Sequence, residues 1–257
     1  MIREANGAAG RGVVAASSEG RRGSVQIAAA RMVARWKPDR LRMESGRRQF
    51  LAIGTALFAW PLRDVRADTP DPAAAAIRAF CDALLEVMKR AEELGIRGRY
   101  DRLAPAIAQT FDLPAMTRIA VGLTWSTIPP EQQSALVDGF TRMTVATYAN
   151  RFDGYSGERF EVSPTAEART TGRIVHTRLL PASGEPVVLD YLMRGSDPTW
   201  KVVDVYLTGT ISELATRRSE FSSILRSGGP GALIESLQQQ AAKLMRPGSS
   251  GKGAQTG

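Results

Sequence analysis

The sequence predicts an α+β domain in which a four-stranded antiparallel meander sheet is covered by helices. Two observations predict it. From Asp71 to Phe152, apolar residues recur at helical spacing in segments punctuated by Asp-Pro, Leu-Pro and Pro-Pro. From 159 to 208 the period changes to four short runs rich in Val, Ile, Leu and Tyr, and helical spacing returns at 211. Helices that flank a run of strands give an α+β layer arrangement.

Asp71-Pro72 reads as a helix start, with Asp as cap and Pro in the first turn. Ile77, Phe80, Leu84, Val87 and Met88 carry that helix to about Leu94. A second helix is expected over 100–111 and a third over 115–121, ended by Gly122. Thr127 is the expected cap of a fourth, which runs to about Phe152 with Leu136, Phe140, Met143 and Tyr148 on one face. The strands are expected at 159–163, 173–180, 187–194 and 200–208. Ala182-Ser183-Gly184-Glu185-Pro186 and Gly195-Ser196-Asp197-Pro198 are hairpin connections, and short turns require antiparallel neighbours. Helices over 211–225 and 231–244 close the domain, separated by Gly228-Gly229-Pro230.

The outer strand patterns carry the functional question. Val187, Leu189, Tyr191 and Met193 alternate onto one face, and Val203, Val205 and Leu207 onto one. An apolar sheet face needs a cover. If the helices pack tightly, the result is an ordinary core; if they stand off, it is an apolar cavity. The pattern is compatible with both.

Composition narrows the function. The net charge of +8 lies entirely in the first 67 residues, which hold 13 Lys and Arg against 5 Asp and Glu; the rest hold 21 of each sign. A neutral body without a basic stripe argues against a nucleic-acid partner. Cys81 is the only cysteine, which rules out an internal disulfide and a CxxC site. His176 is the only histidine, too few for a His-based zinc site. No cofactor or metal is expected. His176 reads as a surface or edge residue of its strand, and Asp204 as a carboxylate bonded to a neighbouring Tyr or turn amide.

Residues 1–42 are rich in Arg, Gly, Ala and Ser and read as a disordered or untranslated leader. From Met43 the order changes: Arg47-Arg48 precede a modest apolar run over 50–62, and Val65-Arg66-Ala67 offers a small-x-small cleavage site. Arg47-Arg48-Gln49-Phe50-Leu51 resembles a twin-arginine core, so 43–67 are expected to be a cleavable export signal to the periplasm. The apolar run is too short to span a bilayer stably. The domain itself is expected over 68–246, with a Gly/Ser-rich disordered tail over 247–257.

An ordered set of short motifs runs through this domain. Thr110-Phe111, Gly122-x-x-Trp125, Glu131-Gln132-Gln133, Phe140 and Thr147-Tyr148-Ala149 stand in the first half. Tyr191-Leu192-Met193, Trp200-Lys201-Val202-Val203-Asp204-Val205, Gly209, Arg218-Ser219-Glu220-Phe221 and Gly231-Ala232-Leu233-Ile234-Glu235-Ser236-Leu237 stand in the second. The set resembles the MlaC/toluene-tolerance family of periplasmic phospholipid-binding proteins, from about Pro72 to Leu244, and is similar in pattern to the hopanoid-associated HpnM-like branch. Gly209-Thr210-Ile211-Ser212 departs from the family's usual Gly-Val-Ser-Leu.

The resemblance implies a periplasmic lipid carrier rather than an enzyme. It would take a phospholipid, or a hopanoid-related lipid, from an outer-membrane lipoprotein complex and pass it to an inner-membrane ring protein and its ABC transporter. The acyl chains would lie in an apolar cavity between sheet and helices. Exposing one tail of about sixteen carbons to water costs on the order of 12 kcal/mol at ~0.8 kcal/mol per CH2, so a slot alone is useful and no catalytic group is needed. The expected lining is Trp125, Met143, Tyr148, Leu189, Tyr191, Met193, Val203, Val205 and Leu207, and the same residues would equally serve as ordinary core. Arg217 and Arg218 are candidates for a phosphate head group or an acidic partner. The rival readings are an interaction module without ligand and a ketosteroid-isomerase-like enzyme built on Asp190, Asp204, Tyr191 and Tyr206. The second is weakened because Asp190 and Tyr191 are adjacent and point to opposite faces.

Overall fold

The structure is a computed structural model and describes residues 71–246. The expected leader, export signal and tail lie outside the described residues. Asp71 opens helix α1 (Pro72–Lys89): its carboxylate accepts from the Ala73 and Ala74 amides at 3.0 and 3.3 Å, and Pro72 occupies the first turn. Ile77, Phe80, Leu84, Val87 and Met88 are all buried on one stripe, as their spacing predicts.

The chain breaks at Arg90 rather than Leu94, and α2 (Ala91–Thr110) begins well before residue 100. Gly95 has φ +56°, a left-handed conformation that divides this helix into a short turn and a longer arm. Arg99 joins that arm to its surroundings, donating to the carbonyls of Ala91 at 2.9 Å and Ala149 at 2.8 Å. Asp112 caps α3 (Leu113–Val121) by accepting from the Ala115 amide at 2.9 Å.

A 3-10 turn, Gly122–Thr127, comes next and changes the expected start of α4 (Pro130–Arg151). Thr127 does not cap that helix; its hydroxyl donates to the Thr124 carbonyl at 2.8 Å inside the turn. Pro129 takes the cap position without a side-chain bond. The Gln133 amide instead ties turn to helix, donating to the Trp125 and Ile128 carbonyls at 2.9 and 3.0 Å.

The meander has the expected antiparallel order but is more finely divided. Its strands are β1 (Arg159–Val162), β2 (Glu167–Arg169), β3 (Gly172–Val175), β4 (Thr177–Leu180), β5 (Val187–Ser196), β6 (Thr199–Leu207) and β7 (Ile211–Ser212). β1 pairs with β4 and β2 with β3, while both β3 and β4 pair with β5. The expected strand over 173–180 is thus one line broken at His176, and the segment over 167–169 is a strand that its charged, exposed residues concealed. β6 pairs with β5 on one side and β7 on the other, making a seven-stranded sheet instead of four.

The last helix, α5 (Glu213–Leu244), is kinked at Gly229, where φ is +69°, just before Pro230. Residues 211 and 212, expected as helix, form β7, because Asp204 holds the turn that follows. Its carboxylate accepts from the Ser212 hydroxyl at 2.6 Å and the Leu214 amide at 3.1 Å, capping α5 from within the sheet.

One register change decides which side chains face the helices. Leu192 pairs with Asp204, but Met193 pairs with Val202, which leaves Val203 as the extra residue of a β-bulge. Tyr191 and Val205 therefore share the helix-facing side with Met193, Val202, and, one pair further, Gly195 and Trp200. Strict alternation placed Val203 on that face. The bulge gives the position to Val202, which belongs to the apolar cluster between sheet and helices, while Val203 is buried outside it.

Candidate functional site

The helix-facing side of the sheet is apolar along its length but unevenly covered. At its centre Phe80 of α1 meets Phe111, Tyr148 of α4 and Tyr191 of β5 edge to face, with ring centroids 5.1, 5.5 and 6.2 Å apart. Burial pushes the Tyr148 and Tyr191 phenols above their ordinary range.

This central stretch is closed. Tyr191 is 1% exposed, and Met193 and Val202 not at all. Side chains are close-packed around these three residues, whereas Tyr148, on the helix side of the same centre, is only partly buried.

One end is stapled. Arg173 donates to the Asp71 carboxylate at 2.6 Å, and the Ala166 amide donates to the same oxygen at 2.9 Å. Burial acts to raise the Asp71 pKa; the amides of Ala166, Ala74 and Ala73 and the Arg173 charge outweigh it and hold the carboxyl below its ordinary value. The Arg173 guanidinium also lies 5.2 Å from the Trp200 ring.

The other end is half-open. Phe160 pairs with Leu179, Leu179 with Val187, and Leu189 with Leu207. Directly paired residues lie on one face, so these five continue the helix-facing surface. All five are only partly buried. An aromatic row joins them to the centre: Tyr148 stacks on Phe152 at 5.7 Å, and Phe152 lies 6.4 Å from Phe160.

The expected lining residues distribute over these regions. Tyr191, Met193 and Val205 stand at the closed centre, and the partly buried Tyr148 packs against it through the Phe80 ring. Leu189 and Leu207 belong to the half-open end. Met143 is buried on α4 in the same cluster, and Trp125 packs on that cluster from the 3-10 turn. Val203 sits at the bulge. Sequence reasoning missed Phe80, Phe111 and Val202 at the centre, Trp200 at the stapled end, and Phe160 and Leu179 at the open end. Alternation in 159–162 and 177–180 could have signalled the last two.

The residues of the enzyme reading are separated. Tyr191 faces the helices, whereas Asp190, Leu192, Asp204 and Tyr206 lie on the opposite side of the sheet. There Asp190 approaches His176 Nδ1 at 3.1 Å, and His176 Nε2 contacts Glu167 at 2.9 Å. The histidine is exposed, as expected, and its bond to Glu167 leads the contacts that raise its pKa. Among the described residues no group of His, Cys, Asp and Glu could hold a metal ion. No described helix is long and apolar enough to cross a membrane.

Comparison with known proteins bears on this arrangement. No curated protein matches the chain. Among solved structures, it is similar to the phospholipid-binding protein from Ralstonia solanacearum in complex with a phospholipid. The two are 27% identical with a TM-score of 0.60, over 68% of this chain and 99% of that one. The model of the family described as MlaC protein matches residues 78–239, from the first helix through the meander into the last. A helix-covered meander with one stapled end and one half-open apolar end is thus the form taken by a chain that belongs to the MlaC family.

Proposed function

We propose that this protein is a lipid carrier that shelters the acyl chains of a phospholipid between its sheet and its helices. The observation that carries the reading is the half-open apolar end at Phe160, Leu179, Val187, Leu189 and Leu207, continuous with the aromatic centre. Tails enter there, and the helices yield over the Tyr148–Tyr191 region to receive them. Nothing in this task calls for a nucleophile or a base. Sheltering two tails offsets an aqueous cost of more than 20 kcal/mol, estimated at ~0.8 kcal/mol per CH2.

In the fuller reading, residues 43–67 export the chain to the periplasm. There it moves lipid between an outer-membrane lipoprotein complex and an inner-membrane ring protein with its ABC transporter. The family membership and the phospholipid-bound Ralstonia protein support the lipid; the export motif Arg47-Arg48 supports the compartment.

Native mass spectrometry and lipid extraction of protein purified from cells test the reading. Bound phospholipid is expected, and Leu189→Trp, which fills the half-open end from β5, is expected to lower occupancy while circular dichroism stays unchanged. Recovery of a hopanoid would reassign the lipid class. Folded protein that arrives empty in repeated preparations overturns the carrier and favours an interaction module.

A further inference from the structure

Away from the sheet–helix interface, a cleft of about 390 Å³ opens where α3, the 3-10 turn, β5 and α5 meet. Its walls carry three arginines from distant parts of the chain: Arg118 in the last turn of α3, Arg194 on β5 and Arg218 near the start of α5. All three are exposed, and none forms an ion pair among the described residues. The neighbouring Arg217, by contrast, is neutralised by Glu220 at 3.0 Å. Arg194 spends one N–H on the Thr171 carbonyl at 3.0 Å, which fixes its position and leaves the rest of its fork free. The Arg218 guanidinium lies against the backbone at Gly122, whose φ is +74°.

The rest of the cleft is apolar. Ala115 and Ile119 line it, and Leu123 stands at its edge 91% exposed, the most exposed large hydrophobic residue among those described. Trp125 is in the same short turn, only partly buried. Three uncompensated guanidinium groups around an apolar protrusion complement a surface that offers phosphates above hydrocarbon, as an anionic bilayer does. A soluble acidic protein surface would match the arginines but give Leu123 no apolar phase to enter.

We propose that this cleft is a membrane-docking site: Arg118, Arg194 and Arg218 take the phosphates of anionic phospholipid head groups while Leu123 inserts at the bilayer surface. The inference rests on the carrier reading and adds to it the place where the carrier meets a membrane. It is distinct from the half-open end at Phe160 and Leu189, where the tails enter.

Flotation of the full chain with vesicles tests it, using phosphatidylcholine alone or mixed with phosphatidylglycerol. All variants retain the basic N-terminal segment, so differences between them report the cleft. Each of Arg118→Ala, Arg194→Ala and Arg218→Ala should weaken binding to the anionic vesicles about fivefold, the value of one basic residue at such a surface. Leu123→Asp should weaken it at least as much, and Arg97→Ala, an equal change of charge on exposed α2, should leave it near wild type. The substituted side chains are exposed, and circular dichroism confirms folding. Cleft variants that bind like Arg97→Ala overturn the proposal. So does competition by inorganic phosphate at matched ionic strength with Leu123→Asp silent, which makes the cleft a free-phosphate site. Lipid occupancy measured by native mass spectrometry on the same preparations reports the carrier reading separately: occupied protein that fails to dock sinks only this inference.

Discussion

At one end of the helix-facing sheet surface, Arg173, Asp71 and the Ala166 amide lock α1 to the meander beside Trp200. At the other end, Phe160, Leu179, Val187, Leu189 and Leu207 present the same kind of surface half-uncovered. The contrast is what a container for a long apolar ligand requires. A base held by directional, charge-assisted bonds keeps its shape, while a mouth held by non-directional apolar contact can part and reclose at small cost. The closed aromatic centre lies between them, and on the proposed reading it is the part that yields.

Three measurements break or sharpen this contrast. The largest effect is expected from paired truncations on β5. Met193→Ala, fully buried near the stapled end, should lower the unfolding free energy by about 2–5 kcal/mol. Leu189→Ala, already partly in water, should cost about 1 kcal/mol. Equal losses in urea titrations would mean that the two ends are packed alike.

A smaller effect is expected at the staple. Asp71→Ala removes the cap of α1 and the partner of Arg173, for about 1–2 kcal/mol. Because the folded-state pKa of Asp71 lies below its ordinary value of 3.8, its stabilisation is present above that value and is lost as pH falls through the folded one. Acid titration should therefore cost the parent protein more than Asp71→Asn. Identical acid profiles would remove Asp71 from the staple.

The smallest effect concerns the opposite face. The His176 pKa is raised, chiefly by its bond to Glu167. Its contribution is thus full below the unfolded value of about 6.5 and fades as pH rises through the folded one. Both side chains are nearly half exposed, so the pair is worth about 0–1 kcal/mol. His176→Gln should flatten a slight fall in thermal midpoint between about pH 6 and 8. A steep dependence that survives the substitution would place the titrating group elsewhere.

Much of the fold was legible. The stripe of α1, the cap Asp71, the hairpin connections and the break at Gly229 are local signals, and each stands where local chemistry puts it. The site was legible in part. Tyr148, Tyr191, Met193 and Val205 stand at the sheet–helix interface, where alternation and helical spacing put them, but the alternation failed at Val203 because the bulge there shifts the parity of β6 between Val205 and Val202. The Thr127 cap failed for a comparable reason: a 3-10 turn competed for its hydroxyl.

What the sequence determined by itself was therefore the order and type of the longer elements, the apolar character of one sheet face and the family, since these follow from residues close together along the chain. Only the tertiary structure decided that the space under the helices is closed at Tyr191, stapled at Asp71 and half-open at Leu189. It alone also gathered Arg118, Arg194 and Arg218 into one cleft from a body of zero net charge. Enclosure and charge clustering depend on distances between residues far apart in sequence, and those distances exist only once the chain has packed.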